Sequence, residues 1–589
     1  MGSPHNTSAT YQPKRMTQAI VYACLLTGVF TLPGCASPSR TKIESTVARN
    51  GPTKIDSSEL SAEFVYKYLI AEVAGQRGDF ATSGSIFYDL AKETGDARLA
   101  ERAARTAAFG NVGNLTMPAV KLWAVLDPSS TEAQQAMTEM LISSGQFDEA
   151  EPYLAKLLSK PETRASGFLY LNALLGKSPD KAKVLSVIQS LAKPYPNVPE
   201  AHFAVAQAAW AATQDLVALA ALDRAEALKP GWNIAALLKG QVLFNQSPQA
   251  AIEHYETYLE AHPTSNEIRI NLAKLLVSQK QFEEAKEQFP IILQEAETSQ
   301  AKNLAEITTV VGLLAYQAGD YQAAEGYFQQ ALKAGFKDVD QIYIYLAQTA
   351  EKQDHNQVAT DWYNKVLPGP RYLEAQINLA NLIARTQNVD KAIEKLDAID
   401  DLTTEQQIIV IQTEAALLSR AKRNQESFNL LEKAVKNLPN TPELVYDYAL
   451  AAERIKKLDL METELRKAIA AKPDFAAAYN ALGYSYADRN IKLDEAQQLI
   501  EKALSLSPND HYMLDSLGWV HYRKGNLDKA ITYLQKAYNM NPDPEIAAHL
   551  GEVLWQKGQH EEAKKIWRDA LIADPDNEVL IMAANKFKS

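Results

Sequence analysis

The chain has 589 residues, of which 46% are hydrophobic, 22% charged and 8% aromatic, with a formal net charge of -12. The negative balance has the wrong sign for a nucleic-acid binder, and the absence of strand-like alternation points to an all-α protein. A single compact core does not suit this length, whereas an array of repeats adds residues without enlarging any one core.

Residues 1–34 read as an export leader. Lys14 and Arg15 form a basic start, a continuous apolar run covers 19–32, and Leu32-Pro33-Gly34-Cys35 follows. The run is too short to span a bilayer as a helix and suits a cleaved signal segment. The four last residues resemble a bacterial lipobox, with Pro33 as a departure from the usual small or β-branched residue. That resemblance implies that Cys35 is lipidated, becomes the new N-terminus and anchors the chain. Ala36 in place of Asp after the cysteine then implies the outer membrane, with the body facing the periplasm. Loss of the leader removes Lys14 and Arg15 and deepens the negative balance. Cys24 and Cys35 are the two cysteines of the sequence, so the body beyond them can form no disulfide and no thiolate metal site.

Residues 35–60 are rich in Ser, Thr, Lys, Asn, Gly and Pro without an apolar period, which predicts a lipidated flexible tether. A run of degenerate helical repeats is expected over 61–198, starting with Phe64, Tyr68, Ala71 and Ala74, a turn at Arg77-Gly78-Asp79, and Ile86, Phe87 and Leu90 on a second helix. A central array follows over 199–475, in which Ala206, Ala218, Leu222, Ala225 and Pro230 mark one unit and Gly312, Ala324, Phe328 and Ala331 another. Leu367-Pro368-Gly369-Pro370 and Asp400-Asp401-Leu402-Thr403 are candidate bends. About fifteen hairpins are expected in all.

The best-formed units occupy 476–577. Tyr479, Leu482, Gly483, Tyr486, Ala496, Ile500, Ala503 and Pro508 recur as Leu514, Leu517, Gly518, His521, Ala530, Leu534, Ala537 and Pro542, then as Ala547, Leu550, Gly551, Leu554, Ala563, Trp567, Ala570 and Pro575. Positions 4, 7, 8 and 11 lie on one face of a first helix and 20, 24 and 27 on one face of a second, so the two stripes can meet. Small residues at 8, 20 and 27 allow close approach of the helix backbones, and the proline closes the second helix. This unit resembles the tetratricopeptide repeat, which implies a superhelical solenoid of antiparallel hairpins. Residues 578–589 carry Val579, Leu580, Met582 and Phe587 and predict a capping helix.

No enzyme is expected. Gly483-Tyr484-Ser485-Tyr486-Ala487 approaches a nucleophile elbow but falls inside a helix of the repeat. His254 and His262, and His511 and His521, lack the spacing of a helical zinc pair, so neither a metal nor another cofactor is expected. What remains is a surface. Positions 2, 5, 9 and 12 of the first helices form a stripe that lines the concave groove in tetratricopeptide arrays. It holds Asn480 and Tyr484, then Tyr512, Asp515, Trp519 and Tyr522, then Glu545, Glu552 and Trp555. Phe203, Gln207 and Trp210 hold the equivalent places upstream. Such aromatics suit peptide capture, although each could instead pack against the next hairpin.

Three longer segments carry a finer resemblance: Leu482 to Asn490, Leu514 to Val520, and Pro544 to Trp555, together with Asp96-Ala97-Arg98-Leu99-Ala100-Glu101-Arg102-Ala103-Ala104-Arg105 near the start. With the lipobox, they resemble a family of long LbcA-type outer-membrane tetratricopeptide lipoproteins. That resemblance implies a non-enzymatic adaptor for a periplasmic carboxyl-terminal processing protease and its peptidoglycan hydrolase clients. Two other classes share some of these features: an assembly lipoprotein for a secretion, pilus or exopolysaccharide export machine, and an enzyme acting directly on peptidoglycan.

Overall fold

A computed structural model describes residues 61–586, so the leader, Cys35 and the tether lie outside the described residues. Those residues form helices and no strand. They pair in sequence as fifteen antiparallel hairpins, from Ala62–Gln76 with Phe80–Thr94 to Pro544–Gln556 with His560–Ala573, followed by a final helix Glu578–Lys586. The expected all-α solenoid of tetratricopeptide type is therefore the observed fold. Two compact units are present, one ending at Ile342 and one beginning at Tyr343. The division falls inside the helix Val339–Lys352, within the central array read from the sequence. The two candidate bends follow second helices of only eight and nine residues, Asn356–Tyr363 and Val389–Asp397.

The hairpin around His511 shows how the sequence builds the unit. Asp510 starts the helix His511–Arg523 by accepting a hydrogen bond from the backbone N–H of Met513 at 3.0 Å, which satisfies one of the free donors of the first turn. The helix ends where Gly525 takes a left-handed conformation (φ 79°) and the N–H of Asn526 closes back on the carbonyl of His521 at 2.9 Å. Leu527–Met540 then returns antiparallel. Leu514, Leu517, Ala530, Leu534 and Ala537 are all buried between the two helices, as the spacing predicts. Burying each leucine stabilises the unit by roughly 1.5–3 kcal/mol, but only when the neighbouring hairpins cover the outer faces.

The glycines at position 8 have a sharper cause than close backbones alone. A Cβ on Gly483 would meet the carbonyl oxygen of Ala496 at 2.9 Å, which is the backbone approach read from the sequence. A Cβ on Gly551 would instead lie 2.1 Å from Nε1 of Trp567, because the indole fills the space between the helices and its N–H donates to the carbonyl of Ala548. At the far end, Leu580 and Ala584 of the final helix are buried against the last hairpin, in the cluster that holds Leu550, Leu554, Trp567 and Ala570.

Several turns between paired helices use a left-handed residue that is not glycine. Thr213 (φ 57°) is the least suited of these, since its β-branch crowds the following carbonyl. The geometry is otherwise that of the Gly525 turn, with Gln214 N–H on the carbonyl of Ala209 at 2.8 Å. Thr213→Gly is expected to stabilise its hairpin by about 1 kcal/mol, after allowing for the greater freedom of glycine in the unfolded chain. Thermal unfolding compared with the parent would check this, and a lower transition temperature would refute it.

Candidate functional site

The concave side of the last four hairpins is walled by their first helices Pro442–Arg454, Ala476–Asp488, His511–Arg523 and Pro544–Gln556. Their side chains converge strongly. The imidazole of His549 stacks on Trp519 at 4.1 Å between centroids and lies 6.2 Å from the ring of Tyr484, two hairpins back. Arg523 reaches back to donate to the carbonyls of Ala487 and Asp488 at 3.0 and 2.5 Å. These carbonyls end the preceding first helix, so the guanidinium is held where the helix dipole favours a cation.

A register rule links successive walls. A residue at position 12 of one hairpin meets position 9 of the next: Tyr522 donates to Glu552 at 3.1 Å, and upstream Asn172 donates to Gln207 at 2.8 Å. Tyr522 also lies 4.9 Å from Trp519, and Glu552 accepts from Lys586 of the final helix at 2.9 Å. Burial and the carboxylate of Glu552 raise the Tyr522 hydroxyl above its ordinary range.

At the centre lies a buried ion pair. Nδ1 of His549 is 3.0 Å from both carboxylate oxygens of Asp515, and both residues are buried. Burial alone would lower the imidazole, but the charge and hydrogen bond of Asp515, with Glu545 and Glu552 nearby, raise it to about 9. The imidazolium is thus the form present at neutral pH. Glu545 moves up to about 7, mainly through burial, with Asp515 and Asp543 adding repulsion. Asp488 and Glu453 are also raised, in each case first by burial. The indole N–H of Trp519 points toward Asp488 but makes no hydrogen bond of normal geometry.

The residues of the predicted stripe are placed differently from one another. Asp515 and Trp519 are each only 6% exposed and form the floor of the groove. Tyr484, Tyr512, Tyr522, Glu552 and Trp555 are half-buried along its walls. Tyr512 donates to Asp543 at 3.3 Å, while Trp555 stacks on His560 at 4.2 Å and so leans toward its own second helix. Phe203, at 3% exposure, packs on Trp232 at 5.0 Å inside the core of the N-terminal unit. Trp210 is half-buried against that same core. The residues named from the stripe omit His549, Asp488 and Glu453, of which Glu453 alone stands at a stripe position, position 12. His549 occupies position 6, which curvature turns over positions 5 and 9 of the hairpin before it. A histidine beside an otherwise apolar Ala547-Ala548 run was the available signal.

Among the described residues no group of His, Cys, Asp and Glu is arranged to hold a metal ion, and no helix is long and apolar enough to cross a membrane.

Tetratricopeptide repeat models match residues 243–306, 312–371, 476–510 and 516–578. A TPR repeat-containing protein of Pseudomonas aeruginosa is 31% identical over 536 residues, covering 90% of each chain. The mitochondrial import receptor subunit TOM70 of Rattus norvegicus is 24% identical over 149 residues, covering 25% of this chain and 24% of the receptor. Among solved structures, a thermophilic TPR protein of Thermus thermophilus aligns with 29% of this chain and 94% of its own, at 22% identity and a TM-score of 0.28.

Proposed function

The chain belongs to the tetratricopeptide repeat proteins, which are protein–protein interaction scaffolds, and from that premise we propose that it is a lipid-anchored adaptor of the outer membrane. In this reading the C-terminal groove holds an envelope protease of the carboxyl-terminal processing class, or its peptidoglycan hydrolase client, so that the two meet on one scaffold. The observation that carries it is the convergence of Tyr484, Asp515, Trp519, Tyr522 and His549 from successive hairpins. A wall of half-buried aromatics over a buried polar floor offers rigid contact area with little side-chain entropy left to lose. The lipobox-like Leu32-Pro33-Gly34-Cys35 supports the anchor, and acyl chains of that kind hold a body without spanning helices at a membrane surface. Confinement there replaces two dilute encounters by local ones.

A reconstituted assay with protease, hydrolase client and this chain tests the adaptor. Client degradation should accelerate by about tenfold or more when the chain is added; an unchanged rate would remove the adaptor reading. Fractionation tests the anchor separately. The Cys35→Ser protein should leave the outer-membrane fraction while keeping its helicity, and continued sedimentation with that fraction after a high-salt wash would exclude Cys35 as the attachment point.

A further inference from the structure

Resting on the scaffold reading of the groove, we propose that Glu453, Asp488, Asp515 and Glu545 converge around Tyr484 as a recognition site for a cationic side chain, the Arg or Lys of an extended basic segment in a partner protein. The site is a diagonal. Glu453 stands at position 12 of its hairpin, Tyr484 at position 9 of the next, Asp515 at position 5 of the third and Glu545 at position 2 of the fourth. Its first step, from position 12 to position 9, is the register that joins Tyr522 to Glu552. The charges that act most on the Tyr484 hydroxyl are those of Asp488, Glu545, Asp515 and Glu453, and with burial they hold it well above the ordinary phenol range.

The cations nearby are largely committed elsewhere. His549 is bonded to Asp515, Arg523 to two backbone carbonyls and Lys586 to Glu552. Arg454 and Arg489 temper Glu453, yet burial outweighs them and its carboxyl stays above the ordinary range. Among the described residues none of Glu453, Asp488 and Glu545 forms a salt bridge, although Ser485 lowers Glu453 and the His549 charge lowers both Asp488 and Glu545 less than burial raises them. A second observation, independent of the acids, points the same way. Asn480 lies one helical turn before Tyr484 on the same face, is 5% exposed, and its Oδ1 has no hydrogen-bond partner. An acceptor without a donor stands beside carboxylates that their neighbouring cations leave raised, and a ligand rich in N–H donors would answer both.

The geometry also selects the class of cation. The described residues hold no cluster tight enough for a metal ion, because the carboxylates come from four separate helices. A guanidinium, with five donors in a planar fork, or an ammonium on a long stem can answer acceptors spread in this way. The face of Tyr484 adds cation–π attraction. A basic segment running along the groove would meet the diagonal side on, and charge complementarity would speed its capture.

The probe is a dye-labelled peptide of alternating Ala and Arg, acetylated and amidated, titrated against the full chain at low salt by fluorescence anisotropy. Its counterparts carry Gln or Glu in place of Arg, and a further Gln peptide keeps its free amino terminus. The Arg peptide should bind at least about tenfold more tightly than the capped Gln peptide, with affinity falling as salt rises. The isosteric pair Glu453→Gln with Glu545→Gln should weaken it by about fivefold or more, while Glu561→Gln with Glu562→Gln on the exposed second helix of the last hairpin should not. Equal binding of Arg and Gln peptides, an equal loss in the two variants, or binding confined to the free amino terminus would each overturn the proposal. A chain that binds the Arg peptide but does not promote client degradation leaves this inference standing and removes the adaptor. Promotion of degradation without Arg-peptide binding does the reverse.

Discussion

Asp515→Ala is expected to destabilise the C-terminal hairpins by about 3–5 kcal/mol, the cost of removing one partner from a buried ion pair. His549 would be left under Trp519 with its Nδ1 donor facing a cavity in place of two carboxylate oxygens at 3.0 Å. The imidazole can escape part of that cost by giving up its proton, so the loss should be smaller at pH 9 than at pH 6. Asp515→Asn keeps an acceptor and removes the charge, and should fall between the parent and the alanine variant. Replacing both partners by apolar residues, Asp515→Leu with His549→Phe, should restore much of the stability, because neither charge then needs solvation. Repeat arrays unfold in parts, so hydrogen exchange resolved along the sequence is the suitable measurement. Loss of protection confined to about the last three hairpins is expected. A change below about 1 kcal/mol for Asp515→Ala would mean that the pair is not ionised in the fold.

The repeat was legible because it rests on volume and period. Ala530 and Ala563 at position 20, Ala537 and Ala570 at position 27, and the leucines at position 7 are dictated by contacts within one hairpin, and a single sequence repeats that information many times. The groove floor was less legible, because it depends on contacts between hairpins. Trp519 and Asp515 do lie on the expected face, but His549 from the next hairpin covers them, and nothing local in either helix records that partnership. The same applies to Phe203, whose neighbour Trp232 begins the following hairpin. Gly551 is a mixed case. Its smallness was predictable, yet the reason is the Trp567 side chain on the returning helix rather than the backbone alone. The division between Ile342 and Tyr343 has no mark in composition, since it falls inside a helix rather than at a proline or glycine.

Stability of the unit that begins at Tyr343 should peak at about pH 4–5 and fall toward pH 9, because its most strongly shifted buried carboxyls and His549 all move up, with His521, lowered by burial, opposing them. His549 is raised from 6.5 to about 9. A group raised on folding contributes fully below its unfolded value and loses that contribution as pH climbs through the folded value. Its contribution is therefore complete below pH 6.5 and gone above pH 9, a change on the order of 3 kcal/mol. Glu545 and Glu414, each raised from 4.5 to about 7 chiefly by burial, and Asp447, raised from 3.8 to about 6 chiefly by burial, add penalties over the lower interval between those values, before the His549 contribution is lost. The acid limb has the opposite cause. Glu462 is lowered from 4.5 to about 2, first by its hydrogen bond from Lys492 and also by Tyr486 and Arg466, so its contribution is present above pH 4.5 and lost as pH falls toward 2. Thermal unfolding of the full chain across this range, with hydrogen exchange to assign the transition to the C-terminal unit, would trace both limbs. Asp515→Ala should flatten the limb between pH 6.5 and 9, since the raised imidazole depends on that carboxylate more than on Glu545 or Glu552. A parent protein whose stability is level or rising between pH 6.5 and 9 would show that His549 is neutral in the fold, and would remove the ionic floor from the groove.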